Sequence, residues 1–130
     1  MSLDDIAWWF SDLIFNGSFP TTLHERLAGE LVKARLMKAS GRFDEALEVI
    51  NKTLRRIPDY PEALLLKAQI LWEGYADDRA AKTCLQQVLK IKKIKTEKDE
   101  AIYRWSENLL KEMRQERRAQ RSRDRRDWNR

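Results

Sequence analysis

Apolar residues recur along most of this chain at intervals of three and four positions, the spacing that places them on one face of an α-helix. The pattern is sharpest from Phe43 to Ile57, where Arg, Lys and Glu fill the opposite face. Residues 63–72 and 80–89 repeat it with fewer charges, so we expect both of these segments to be largely buried. The pattern predicts an all-α protein.

Turn residues divide this pattern into six helices. Gly17 and Pro20 follow the first helix, and Thr22 with Glu25 three residues later forms the capping-box signature of the second. Pro58 disfavours helix in the residue before it, and Pro61 suits the first turn of the next helix. The predicted helices span about residues 3–15, 22–40, 43–57, 61–74, 78–89 and 97–113.

Composition supports helices and places the charge at one end of the chain. Only four Gly and three Pro occur, as is typical of helical proteins. The chain of 130 residues is long enough for one domain with its own core. The net charge is +5, and residues 111–130 account for the excess, with nine basic side chains against four acidic ones. We therefore expect a helical domain over 1–113 and a flexible or frayed Arg-rich tail over 114–130.

The chain also repeats itself at an interval of about 34 residues. This shift aligns Ala34 with Ala68 and Ala46 with Ala80, so that small residues fall on small ones. Small side chains matter at these positions because two packed helices approach closely only where a small residue lies at the crossing. The interval therefore predicts stacked helical hairpins.

The repeat resembles the tetratricopeptide repeat, whose pattern of small, aromatic, Ala and closing Pro positions is matched by Ala34, Met37, Gly41, Phe43, Ala46, Ile50 and Pro58. Two divergent repeats are expected, over about 27–60 and 61–94, followed by a capping helix over about 97–113. The resemblance implies an α-α superhelix with an N-terminal and a C-terminal flanking helix. It also implies a non-enzymatic adaptor or scaffold that binds another protein.

Proteins of this family commonly bind partners on the concave face, which the first helix of each pair lines. The resemblance puts a candidate groove there, with basic side chains around an apolar floor that suits an acidic peptide or a partner helix. An alternative is that Trp72 belongs to the core and that Arg35 and Lys38 are merely solvated surface residues. The candidate groove residues are Leu31, Arg35, Lys38, Leu65, Gln69 and Trp72.

The Arg-rich tail supports a second functional hypothesis, a nucleic-acid-associated protein. Arginines neutralise phosphates and give salt-dependent affinity without sequence preference. The tail lacks interleaved aromatic residues apart from Trp128, so base stacking is not indicated, and a purely solubilising role is the alternative. The candidate polyanion contacts are Arg117, Arg118, Arg121, Arg125 and Arg126.

Aromatic residues are concentrated at the N-terminus, at Trp8, Trp9, Phe10, Phe15 and Phe19. Three interpretations remain open: packing as a cap on the first repeat, self-association or a partner contact, and insertion at a membrane surface. Acidic residues among the aromatic ones disfavour anionic lipid.

Catalytic and cofactor chemistry has little support in the sequence. There is no Gly-rich phosphate loop, metal-spaced Cys/His cluster or nucleophile–base arrangement, so we expect no enzyme activity, cofactor or metal. The single Cys84 lies in an apolar helical stripe and is expected to be a core residue. No apolar run approaches the ~20 residues of a transmembrane helix and no signal-peptide pattern occurs, so a cytoplasmic location is expected.

Overall fold

A computed structural model describes residues 23–91 and 96–130, and these residues form five α-helices without a strand. The all-α prediction is therefore confirmed. The predicted first helix, its aromatic residues and Thr22 lie outside the described residues. The helices are α1 (Leu23–Ala39), α2 (Phe43–Arg56), α3 (Pro61–Tyr75), α4 (Asp78–Lys90) and α5 (Glu97–Trp128).

The helices pack as consecutive hairpins, α1 against α2 and α3 against α4, with α5 against the second pair. Helix α3 is central because it contacts all four of the others. One of its sides contributes Ala63, Leu66 and Ile70 to a first apolar cluster with α1 and α2. The other side gives a second cluster with α4 and α5, which includes Leu64 and Leu65. Burial on two sides explains why α3 is apolar around most of its circumference.

Gly41 forms the turn after α1. Gly41 has a φ of 77°, and its N–H donates to the Lys38 carbonyl at 3.0 Å while the Arg42 N–H donates to the Met37 carbonyl at 2.8 Å. These two bonds are the Schellman pattern, in which glycine ends a helix by adopting the left-handed conformation without a Cβ clash. The first hairpin thus turns at a residue suited to it.

The second hairpin turns differently. Helix α3 continues to Tyr75, and Ala76 takes the left-handed conformation with a φ of 51°. Gly74 stands inside the helix instead, where an added Cβ would lie 2.5 Å from Cγ of the Phe43 ring. Asp77 caps α4 by accepting from the Ala80 N–H at 3.1 Å.

Because of this turn, α4 is shifted by one residue relative to the 34-residue repeat. Ala34, Ala68 and Ala46 are fully buried, but in α4 the fully buried alanine is Ala81, while Ala80 is only partly buried. The alignment of Ala46 with Ala80 was therefore wrong by one residue. The interval between equivalent buried alanines is 34 residues from α1 to α3 and 35 residues from α2 to α4.

The last helix is longer than the capping helix predicted over about 97–113. It begins after Thr96, whose hydroxyl accepts from the Asp99 N–H at 3.2 Å, and continues to Trp128. Met113 is its last buried residue, and every later residue is exposed. Residues 114–128 therefore extend as an exposed helix for about 22 Å at the usual rise of 1.5 Å per residue. The flexibility expected of this segment remains a prediction.

Candidate functional site

A cleft of about 340 Å³ opens between α1, α3 and the first turns of α5. Its floor is apolar, because Leu65, Leu66 and Ile102 lie beneath it. Polar and aromatic side chains surround this floor. The lining residues are Arg35, Glu62, Leu65, Leu66, Gln69, Lys98, Ala101, Ile102 and Trp105.

A carboxylate that bridges three helices forms one wall of the cleft. The Glu62 side chain is only 10% exposed, and its Oε2 lies 3.0 Å from the Lys98 Nζ of α5. Its Oε1 accepts from the Arg35 guanidinium of α1. Both cations are at least half exposed, so each keeps contact with water while its charge offsets the carboxylate. One negative charge and two positive ones give this wall a net positive charge.

The rim of the cleft continues along α1 and α3. Lys38 Nζ lies 3.2 Å from a carboxylate oxygen of Glu73 and 3.5 Å from the amide oxygen of Gln69. Gln69 lines the cleft beside Arg35, and Lys38 stands just outside it. Polar contacts between α1 and α3 therefore border the apolar floor on this side.

Trp105 forms an exposed aromatic wall. Ile102, Trp105, Leu109 and Met113 recur at the spacing of one helical side, yet Trp105 is 61% exposed. Ser106 is fully buried in its place, and its hydroxyl donates to the Ile102 carbonyl at 2.8 Å. Trp105 is exposed because this helix packs through the neighbouring face, which includes Ser106 and Leu110.

The six predicted groove residues do not all meet at one surface. Arg35, Leu65 and Gln69 line the cleft together. Leu31 is 1% exposed in the first apolar cluster, and Trp72 packs, partly buried, against the second. Sequence reasoning missed Lys98 and Trp105, because the predicted groove was drawn from the repeats and left α5 out.

A second hollow of about 430 Å³ adjoins the cleft, between α1, the start of α3 and the start of α5. Glu62, Lys98 and Ile102 line both spaces, so they form the wall between them. Its other lining residues include Tyr60 and Thr96. The bridged carboxylate thus lies at the centre of a longer concave surface.

The predicted polyanion contacts lie in the distal half of α5, and most of them share one side of that helix. Successive helical residues are about 100° apart, which places Arg117, Arg118, Arg121 and Arg125 within about 100° of the circumference, together with Arg114. Arg126 falls about 80° beyond the edge of that sector. Four of the five predicted contacts therefore share one side of the helix, and the fifth does not.

Cys84 is buried in the second apolar cluster, as predicted. Burial raises the pKa of its thiol, and the charge of Lys67 offsets part of that rise. The thiol is therefore protonated at neutral pH, whereas a nucleophile must be a thiolate. Within residues 23–91 and 96–130, no group of three or more His, Cys, Asp and Glu side chains is placed to hold a metal ion. The side chain of His24 is outside the described part of the chain.

The comparisons with known proteins support the resemblance that the sequence shows. Residues 27–70 match the tetratricopeptide repeat family, which covers most of α1, all of α2 and the first ten residues of α3. The predicted resemblance to this repeat family is therefore confirmed, and no catalytic family matches. No curated protein and no solved structure matches the chain. Among the helices that the structure describes, none is long and apolar enough to cross a bilayer.

Proposed function

We propose that this protein is a non-enzymatic interaction module that binds a peptide or helix of a partner protein in the cleft between α1, α3 and α5. The tetratricopeptide repeat implies a protein partner in general terms. The observation that supports this cleft is its combination of an apolar floor, the exposed Trp105 and a positively charged wall. An apolar anchor beside complementary charge is the usual arrangement of an interaction hot spot.

The partner segment should carry an apolar side chain next to an acidic one. The apolar side chain would pack on Leu65 and Trp105, and the acidic one would approach Arg35 and Lys98. Both cations already pair with Glu62, so the acid would share charges that one carboxylate only partly neutralises. A cytoplasmic location and the scaffold role remain predictions.

Peptide selection from a display library against the full chain tests this proposal. Selected peptides should contain apolar and acidic residues in close succession, and Trp105→Ala should weaken their binding at least tenfold, in the range of a hot-spot residue. Trp128→Ala is the matched control because Trp128 is equally aromatic and also exposed but lies far along α5. Binding that survives Trp105→Ala, or that Trp128→Ala abolishes, would refute the cleft.

A charge exchange separates the cleft from a general electrostatic effect. Lys98→Glu should weaken the binding of the selected peptides, while Lys52→Glu should leave it unchanged, since Lys52 lies on the exposed side of α2 and pairs with Glu48 at 3.5 Å. Equal weakening by both variants would contradict a specific contact.

A further inference from the structure

We propose that the distal half of α5 is a second binding surface, which takes the phosphate backbone of a nucleic-acid duplex on one side of the helix. The surface consists of Arg114, Arg117, Arg118, Arg121 and Arg125, and is called the arginine face below. It is separate from the cleft and carries a different function. Three features support this proposal: the alignment of the arginines along the helix, their exposed charges, and the scarcity of apolar and aromatic residues beside them.

The arginines are aligned along the helix axis. Arg114, Arg118, Arg121 and Arg125 are spaced by four, three and four residues, which corresponds to steps of about 6, 4.5 and 6 Å along a helix. They occupy a sector of about 60°, and Arg117 widens it to about 100°. A rod with closely spaced cations on one side is complementary to a duplex, which presents a regular array of phosphates, about one charge per 1.7 Å of axis.

These charges are available to a ligand. All five side chains are exposed, and none of them forms an ion pair within the parts of the chain that the structure describes. Asp78 at the start of α4 lines a shallow hollow together with Glu116, Arg117 and Arg121. The two carboxylates at this hollow do not neutralise five guanidinium groups.

Acidic residues of the same helix are placed mainly on its other side. Helical geometry puts Glu112 opposite the arginine face, and Glu116 and Asp127 about 80–100° beyond its Arg117 edge. Asp124 stands at the edge of the face, and its carboxylate accepts from the Gln120 side chain at 2.9 Å. The helix therefore approaches a polyanion with one side and turns most of its carboxylates toward solvent.

The missing residue types favour a duplex over other anionic partners. A surface helix that inserts into lipid needs an apolar side, and Ala119 is the only apolar residue between Arg114 and Asp127. Proteins that hold single strands interleave aromatic residues with cations, whereas Trp128 is the only aromatic residue after Met113. Recognition through phosphates alone predicts no sequence preference.

The test uses the full chain and two variants that lose the same charge at the same spacing. Arg118→Gln with Arg121→Gln removes two cations from the arginine face, and Arg123→Gln with Arg126→Gln removes two from the remaining circumference. Fluorescence anisotropy with a labelled duplex of random sequence should show a log K against log salt slope of about −4 to −5 for the native chain. The first variant should lower the magnitude of that slope by about 2 and weaken binding roughly tenfold at 0.1 M salt. The second should stay within about twofold of the native chain.

Several outcomes would overturn the proposal. Equal losses in the two variants would show that only net charge matters. Tighter binding to a single strand of the same length, or to vesicles of phosphatidylserine and phosphatidylcholine, would assign the face to that ligand instead. Competition by polyglutamate as strong as that by unlabelled duplex at equal charge would exclude phosphate recognition, and absence of any binding at 0.05 M salt would exclude the site.

Discussion

The carboxylate of Glu62 on α3 lies 3.0 Å from the ammonium group of Lys98 on α5, and the same carboxylate accepts from Arg35 on α1. One side chain thus links three helices at the edge of the cleft. Because the carboxylate is nearly buried and the cations are not, removal of the acid and removal of the bases should have different costs.

Glu62→Gln should lower the free energy of unfolding by about 1 kcal/mol, because the two cations left behind remain hydrated. Arg35→Ala with Lys98→Ala should cost more, about 3 kcal/mol, because it leaves a nearly buried carboxylate without a cation. Urea denaturation of the three proteins measures both values. If Glu62→Gln proves the more costly change, the carboxylate charge contributes more through its two ion pairs than its burial costs, and the expected order is wrong.

Gly74 and Gly29 both stand inside helices, yet alanine should have opposite effects at the two positions. At Gly74 a Cβ would lie 2.5 Å from Cγ and 3.0 Å from Cβ of Phe43, so α2 and α3 would have to move apart. Gly74→Ala should therefore destabilise the fold by about 1–3 kcal/mol. Gly29 has no atom within 4 Å of such a Cβ, and Gly29→Ala should stabilise the protein by about 0.5–1 kcal/mol. Thermal unfolding followed by circular dichroism compares the pair, and a stabilising Gly74→Ala would show that this approach of the helices is looser than described.

The two inter-helix turns give a reciprocal pair of substitutions. Ala76 has a φ of 51°, a conformation that costs a residue with a Cβ about 1–2 kcal/mol. Ala76→Gly should thus stabilise the protein by about 1 kcal/mol after allowance for the more flexible unfolded chain. Gly41→Ala, at a φ of 77°, should destabilise it by about 1 kcal/mol. Chemical denaturation measures both, and a loss of stability in Ala76→Gly would contradict the left-handed turn.

Cys84 makes stability depend on pH in alkaline solution. Burial raises the pKa of its thiol in the folded chain above the unfolded value of about 8.5, so the folded state holds this proton more tightly. The resulting stabilisation is complete below that unfolded pKa and is lost as pH rises through the folded pKa. Folded protein at pH 8 should react with a thiol reagent much more slowly than protein in urea. Cys84→Ala should remove the thiol contribution to the alkaline decline, and equal reaction rates in the two states would contradict burial.

Much of the fold could be predicted from periodicity, and its errors have local causes. The 34-residue interval located Ala34, Ala68 and Ala46 at buried positions, but it failed at Ala80. The cause is one additional residue before the second turn, where Ala76 adopts the conformation that glycine adopts at Gly41. A glycine at 76 would have marked this turn, and the glycine that the sequence has, Gly74, serves the close approach to Phe43 instead.

The site was harder to predict than the fold, since it depends on how helices distant in sequence meet. Arg35, Leu65 and Gln69 followed from the resemblance, and all three line the cleft. The exposure of Trp105 could not be predicted, because two spacings of apolar residues run along α5 and only contact with α3 and α4 decides which one is buried. Glu62 gave no signal at all, because a glutamate in the first turn of a helix is common on exposed surfaces.

Helix α5 passes from the cleft to the arginine face as one helix, with no Gly or Pro between Glu97 and Trp128. Trp105 and Arg121 are 16 residues apart, which fixes their separation at about 24 Å along the axis. A peptide on the first and a duplex on the second would be held at a set distance without touching each other. The helix would then set the distance between the two ligands. A partner long enough to reach both positions would gain affinity from bivalent attachment, whereas a partner of the wrong length would not.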